Sequence, residues 1–439
     1  MTVAHQEVAT PGDPSEERFA FDPWDVSWRD EATESTIDEL VEKRPIYQFE
    51  ETKFVVSRHE DVRTVLSDQS RFSAKPNQAE AIGFPPTIPP DADPELIARL
   101  TSVVGSLPFD VAEFSGADVI VGVDNEAHAK IRTIVARGFV VKRIMALTPR
   151  VEAIVAECLQ DIEGRSEVEV MEELAIPVPI RVIADLLGVD RAASMDLKRW
   201  SDVLSTCVHG ETRGSVEAAI ELVSMLTEFA ALFMPLIHER ATNPGEDLIS
   251  DIVRATEADT LTTAEAVLFL LILMAAANET TTSMIGNAVY YLLTNPDQLA
   301  LLQAQPNLVD NTIEETLRLS APVQFVFREA LQAEELHGTA VPAGSTLVCF
   351  IAAANRDGRS FSEPHRFDIT REGLRQANLA FGHGAHLCIG AALGRLEGRA
   401  TLTALLPHLP HLSLDTSRLN LDRSAFTRAY EEVHLHRTS

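Results

Sequence analysis

Cys388 lies in the string Phe381-Gly382-His383-Gly384-Ala385-His386-Leu387-Cys388-Ile389-Gly390. Two glycines ahead of the sulfur let the backbone bend closely around a flat ligand. A helix beginning just after the cysteine would aim its positive end and free N–H groups at a thiolate, which makes a tuned metal ligand. Taken alone, a cysteine in a turn is more often a small buried side chain. Three other groupings carry possible chemistry. Glu279 and Thr280 stand side by side in the apolar run Ala276-Ala277-Asn278-Glu279-Thr280-Thr281. An acid and an alcohol are costly in a core helix unless they act, and proton delivery is what such a pair can do. A polar patch against a neighbouring helix is the alternative. Glu315 and Arg318 share a helical face and can pair, as many surface i,i+3 residues do. His128 and Arg132 share another face one turn apart, offering positive charge or merely a solvated surface.

In this order the strings resemble the haem-binding cytochrome P-450 family. The cysteine loop is similar to FGxGxHxCxG at every fixed position, and Glu315-Thr316-Leu317-Arg318 is similar to the family's ExxR. Ala276 to Thr280 resembles its oxygen-binding groove, (A/G)GxxT, with Ala277 where glycine is frequent. The Arg366-Phe367 step resembles PxRF, and His128 with Arg132 resembles HxxxR. The likeness runs from roughly residue 20 to the end, and its specific motifs lie between Ala276 and Glu397. It implies that Cys388 is the axial ligand of a haem b iron, flanked by Phe381 and Gly390. His128, Arg132, Arg328 and His386 would meet the haem propionates. Glu315, Arg318 and Arg366 would form a buried ion network that retains the haem. Thr280 would hydrogen-bond the bound oxygen and Glu279 would supply protons. The activity implied is monooxygenation, insertion of one atom of O2 into a C–H bond of a small lipophilic molecule. Cysteine-thiolate ligation favours the O–O cleavage this requires. Since the chain shows no flavin or iron–sulfur domain, a separate ferredoxin and its reductase would deliver electrons from NAD(P)H. Arg132, Lys142, Arg143, Arg395 and Arg399 would give a local basic patch on the cysteine side. A peroxide-using or rearranging haem enzyme would tend to lack the Glu279–Thr280 pair. A non-catalytic ligand-binding or recruitment relative is the other alternative.

These residues need elements to hold them. The stretch Lys75 to Pro94 carries Pro76, Pro85, Pro86, Pro89, Pro90 and Pro94 and reads as a loop. Helical patterns follow: one opens at Asp124, one covers about Leu147 to Ile162, and others lie between Met195 and Arg240. The longest starts at Thr262, where Thr262 and Glu265 are spaced as a capping box, and ends at Asn295-Pro296. Its apolar run, Ala266 to Ala277, is shorter than the roughly 20 residues of a membrane span, so it is expected to be a buried core helix. Between Pro322 and Thr370, Phe325 to Phe327 and Thr346 to Ile351 read as strands around the turn Pro342-Ala343-Gly344. A final long helix follows the cysteine loop. The expected fold is mainly α with a small β region, the P-450 arrangement of haem between the long central helix and the cysteine-loop helix. One domain is expected over residues 21–439, after a disordered segment 1–20.

The chain has 439 residues, 45% of them apolar, and a net charge of −29. Phosphate backbones and anionic lipid both call for a basic surface, so neither nucleic acid nor a membrane is an expected partner. Cys158, Cys207 and Cys349 form no CxxC pair with each other or with Cys388. That fits buried thiols in a reducing cytoplasm. No leader-like apolar stretch is visible near the start, and a monomer is expected. Phe84, Leu100, Phe109, Met274, Ala277, Val323, Val326 and Phe426 are the expected apolar walls of the substrate pocket.

Overall fold

The computed structural model describes residues 19–29, 33–77, 92–109, 117–190, 193–209, 212, 214–257, 261–422 and 424–438. Residues 1–18 of the expected disordered segment lie outside them. Phe19 does not: its ring meets Tyr47 edge-on at 5.4 Å between centroids, so packing begins before residue 21.

The helices that build the site are α1 (His59–Ser67), α2 (Pro94–Val104), α3 (Asn125–Ala136), α4 (Ser194–His209), α5 (Val216–Thr242), α6 (Thr263–Thr294), α7 (Val309–Leu319) and α8 (Ala391–Leu405). The expected helix after Asp124, the one over Leu147 to Ile162 (found at Thr148–Ile162) and the long central helix are all present. At the start of α6 the Thr262 hydroxyl accepts from the Glu265 N–H at 3.1 Å, while the Thr262 N–H donates to the Glu265 carboxylate at 2.7 Å. Two N–H groups at the helix start are thereby satisfied. Ala266 to Met274 are buried without a break, the pattern of a helix enclosed on every side. α5 and α6 are long and apolar enough to cross a membrane, yet α6 is largely buried inside the fold, as expected of a core helix.

Around α6 pack α4, α7 and α8, and α7 packs on α8 as well. Glycines bring α8 close: a Cβ at Gly398 would come within 2.7 Å of Met284 Cε on α6. The apolar faces of these helices form one continuous core from Ala117 to Leu435.

The main sheet takes β1 (Ile46–Glu50), β2 (Lys53–Val56), β3 (Phe72–Ser73), β4 (Phe325–Ala330) and β5 (Thr346–Phe350), in the order β1-β2-β5-β4-β3. β2 and β5 are parallel, with Lys53 opposite Thr346, and the other pairings are antiparallel. The expected strands β4 and β5 are there. β1 and β2 lie outside the strand-rich region expected between Pro322 and Thr370. Their sequence, Ile46-Tyr47-Gln48-Phe49-Glu50 before Phe54-Val55-Val56, carries enough β-branched and aromatic residues to have announced them. A small pair, β6 (Asn420–Leu421) and β7 (Tyr430–Glu432), closes the chain's last turn against the core.

Candidate functional site

The cysteine loop is fixed from both ends. The Cys388 N–H donates to the Phe381 carbonyl at 2.8 Å, and Gly382 N–H to the Leu379 carbonyl at 2.7 Å. Gly384 sits at φ +74°, and a Cβ there would meet the Leu66 carbonyl at the end of α1 at 2.7 Å, so only glycine fits. The Arg395 guanidinium stacks on the Phe381 ring at 4.3 Å. At the start of α8 the Gly390 and Ala391 N–H groups donate to the Cys388 sulfur, with Arg132 and Arg395 nearby. Burial nevertheless pushes the thiol up from its ordinary pKa, and those donors and cations only oppose the rise. A coordinated metal cation would deprotonate such a thiol outright. Cys158, Cys207 and Cys349 are buried, whereas Cys388 is accessible although it lies deep in the protein.

An accessible group deep in a fold faces an internal surface. On α6 the same holds for Ala276, which is exposed, and for the half-buried Thr280 one turn on. Thr280 donates its hydroxyl proton to the Ala276 carbonyl at 2.7 Å, leaving its oxygen lone pairs free to accept. Glu279 turns elsewhere. Its Oε1 accepts from Ser205 Oγ on α4 at 2.9 Å and lies 3.1 Å from Thr427 Oγ1 in the β6–β7 turn. Burial, helped by the Asp422 and Asp202 carboxylates and opposed by the two hydroxyls, pushes Glu279 up to about 7. The adjacent pair therefore does not meet as side chains.

A second buried group surrounds His128 on α3. Its ring lies 4.1 Å from that of His386, and Nε2 of each is buried without a hydrogen-bond partner. Arg328 is buried beside them, and Arg132 donates to the Leu387 carbonyl at 2.6 Å. Asp124 is the acid among them, but its oxygens take Ser73 Oγ and the Ala74 N–H, and it stands 3.6 Å from His386. Burial first, then Arg328 and His128, pushes His386 down to about 3. Burial, then Arg132, lowers His128 as well. Both rings are neutral donors at pH 7, so the positive charge comes from Arg132 and Arg328.

The expected ion network corrects in one member. Arg318 Nε and Nη2 hold the two Glu315 oxygens at 2.7 and 2.8 Å, with both residues fully buried. The second cation on Glu315 is Arg371, at 3.0 Å and 9% exposed, joined by the Asp368 N–H at 2.9 Å. The Arg366 side chain is 53% exposed and pairs with Glu363; only its carbonyl accepts from Arg318, at 3.1 Å. The aromatic beside it decides this: Phe367 is buried in a stack on Tyr291, turning Arg366 outward.

Other expectations also change. The cysteine-side arginines are largely engaged, Arg143 with Asp251, Arg395 with Glu314 and Arg399 with Asp310, which dilutes the expected basic patch. Among the pocket residues Phe84 lies outside the described residues. Leu100 packs into an apolar cluster with Val216, Ile220 and Val223 on α5, and Met274 is fully buried in the core, so neither lines an internal surface. Phe109, Ala277, Val323 and Val326 are half-buried, and Phe426 is buried against Phe327. Ser205, Asp422, Thr427, Arg371 and Asp124 were missed, because ordinary polar residues far apart in sequence give no local signal.

The geometry suits a haem. An accessible sulfur ringed by N–H donors can ligate its iron, and two orphaned imidazole nitrogens beside two arginines can take its carboxylates. Comparison with known proteins agrees. The family model described as "Cytochrome P450" matches residues 180–429. Cytochrome P450 107B1 of Saccharopolyspora erythraea is 39% identical over 301 residues, 68% of this chain and 71% of that one. The same organism's 6-deoxyerythronolide B hydroxylase is 34% identical over 397 residues, 90% of this chain and 91% of its own. Among solved structures, the crystal structure of CalO2 superposes with a TM-score of 0.81 at 28% identity, covering 95% of this chain and 99% of that chain.

Proposed function

As a member of the cytochrome P450 family, this chain is a haem-thiolate monooxygenase, and we propose that it inserts one atom of O2 into a C–H bond of a small lipophilic substrate, with Cys388 as the residue that would hold the haem iron. The observation that carries the assignment is the accessible Cys388 sulfur at the start of α8, receiving two backbone N–H groups within a loop that only glycine at 384 permits. When bound, the haem supplies an iron that accepts electrons and activates O2, and a thiolate ligand favours O–O cleavage.

The rest is work for the chain's own side chains. Cys388 would hold the iron. Arg132 and Arg328 would neutralise the haem carboxylates, and His128 and His386 would donate N–H groups to them. Phe381, Gly382 and Gly390 would line the loop. Thr280, with its own proton engaged on the Ala276 carbonyl, offers an acceptor oxygen at the reacting face. Glu279, neutral below about pH 7, holds a proton that it can give up. Glu315, Arg318 and Arg371 clamp α7 to the segment ahead of the cysteine loop and would act in haem retention rather than in chemistry. Phe109, Ala277, Val323, Val326 and Phe426 are half-buried or buried apolar side chains suited to a lipophilic substrate. The group itself would be haem b, bound without covalent links, since the three other cysteines are buried. Electrons would come from NAD(P)H by way of a ferredoxin and its reductase. A single domain that includes Phe19 at its start, a monomer and a cytoplasmic location complete the reading.

The decisive experiment is the carbonyl difference spectrum of the reduced protein. The wild type should show the red-shifted band of thiolate ligation, and Cys388→Ala should abolish it. A red-shifted band that survived in the variant would remove Cys388 from the iron.

A further inference from the structure

The contacts of Glu279 set a constraint on protons. Its Oε1 lies 3.1 Å from Thr427 Oγ1, and that hydroxyl lies 3.2 Å from Asp422 Oδ2. A threonine hydroxyl carries one proton and can donate to one acceptor at a time. Both contacts are hydrogen bonds only if one carboxyl is itself protonated and donates to Thr427. Arg29 decides which one. It is 2% exposed, and its Nη2 binds Asp422 Oδ1 at 2.8 Å, so Asp422 is the favoured carboxylate. Among the described residues no cation pairs with Glu279. The Asp422 side chain keeps 20% of its surface accessible although it lies deep in the protein, which leaves one face that a water molecule can reach.

We propose that Asp422, Thr427 and Glu279 form a one-proton relay, in which Glu279 rests protonated and is recharged from solvent through Asp422 and the Thr427 hydroxyl. The balance is simple. Once Glu279 has given its proton to the site, Asp422 takes one from solvent and passes it to the Thr427 oxygen. Thr427 releases its own hydroxyl proton to Glu279, and Asp422 returns to the carboxylate held by Arg29. The relay rests on the reading of Glu279 as proton donor and adds where its proton comes from.

The surroundings on each packed element agree. From α4 come Ser205, which donates to Glu279, and Asp202, itself paired with Lys198. The β6–β7 turn supplies Asp422 and Thr427, and the N-terminal segment supplies Arg29, whose carbonyl accepts from Arg428 at 3.2 Å. On α6 itself Ser283 donates to the Glu279 carbonyl at 2.7 Å. Burial pushes Asp422 up as well, with Arg29 opposing, so its transient protonation is accessible. Carboxylates surround Glu279, and the cation belongs to Asp422.

The test is infrared difference spectroscopy of the full chain across a pH titration, reading the stretch of protonated carboxyls, with activity as a second measurement. A protonated band that vanishes in Glu279→Gln and titrates near pH 7 is expected. A second neutral acid, Glu397, is separated by its own Gln variant. Asp422→Asn removes a nearby negative charge and should move the Glu279 titration down. Thr427→Val breaks the hydroxyl link between the two carboxyls and should shift the Glu279 titration, and Thr427→Ser should restore it. The relay is overturned if the band vanishes in Asp422→Asn instead, or if Thr427→Val leaves the Glu279 titration where it was. In turnover, Glu279→Gln should lower product per reducing equivalent by up to roughly 100-fold, the low end of a general-acid contribution. Thr427→Val should lower it in the same direction, most at high pH. Uncoupling by Glu279→Gln but not by Thr427→Val would defeat the relay and leave the donor role standing. Full coupling in Glu279→Gln would instead defeat the donor role.

Discussion

At the residue scale the site is governed by desolvation more than by pairing. His128 and His386 look like two cations in the sequence, yet both are lowered by burial, with Arg328 and Arg132 beside them. They are hydrogen-bond donors, and the charge that would hold the haem carboxylates is concentrated on Arg132 and Arg328. Loss of Arg328 should therefore weaken haem more than loss of either ring. Arg328→Gln is expected to cost about 2 kcal/mol or more of haem affinity, in the range for stripping one partner from a buried charge pair. His386→Asn, which keeps a donor, should cost less than half of that. Equilibrium transfer of haem to an apo-globin acceptor measures both. Equal losses would return the charge to the imidazole.

At the element scale, α7 is tied to the chain ahead of the cysteine loop by a carboxylate with two arginines on it. The assignment of Arg371 in place of Arg366 makes a contrast that thermal unfolding can read. Arg371→Ala leaves Glu315 short of a buried partner and should cost about 3–5 kcal/mol. Arg366→Ala, at an exposed position, should stay within about 0.5 kcal/mol. A reversed order would restore the expected triad. Gly384→Ala should also destabilise, since the new methyl would face a backbone carbonyl that cannot move aside as a side chain can. Much of this was legible beforehand. The capping box placed α6, the i,i+3 spacing placed Glu315 against Arg318, and the glycines marked the cysteine loop. All three are local patterns. Arg371 was not legible because Arg366 occupies the familiar position and only packing, through Phe367 on Tyr291, turns it away. Thr427 and Asp422 were invisible for a plainer reason: Thr427 lies 148 residues from Glu279, and no periodicity connects them.

For the molecule as a whole, buried neutral acids set how stability depends on pH. Glu279 is raised from 4.5 to about 7 and Glu397 to about 8, burial being the first cause of each. A carboxyl whose folded pKa is raised binds more protons in the native state than in the unfolded one. Stability is therefore highest below about pH 4.5 as far as these groups are concerned, and falls as pH rises through the window up to about 8. The melting temperature should decline between pH 5 and 8, approximately, and Glu397→Gln should flatten that slope; an unchanged slope would mean that Glu397 is ionised in the folded state. Another whole-chain property follows from the pairing of β2 with β5, which sets Lys53 beside Thr346. During synthesis the apolar strand Phe54-Val55-Val56 leaves the ribosome long before its central partner exists. Until then it is an unpaired sheet edge, the kind of surface that recruits other chains. Biosynthesis should accordingly be limited by waiting: slower elongation or a holding chaperone should raise the yield of soluble protein, while a chain cut short ahead of Thr346 should aggregate however well its helices form.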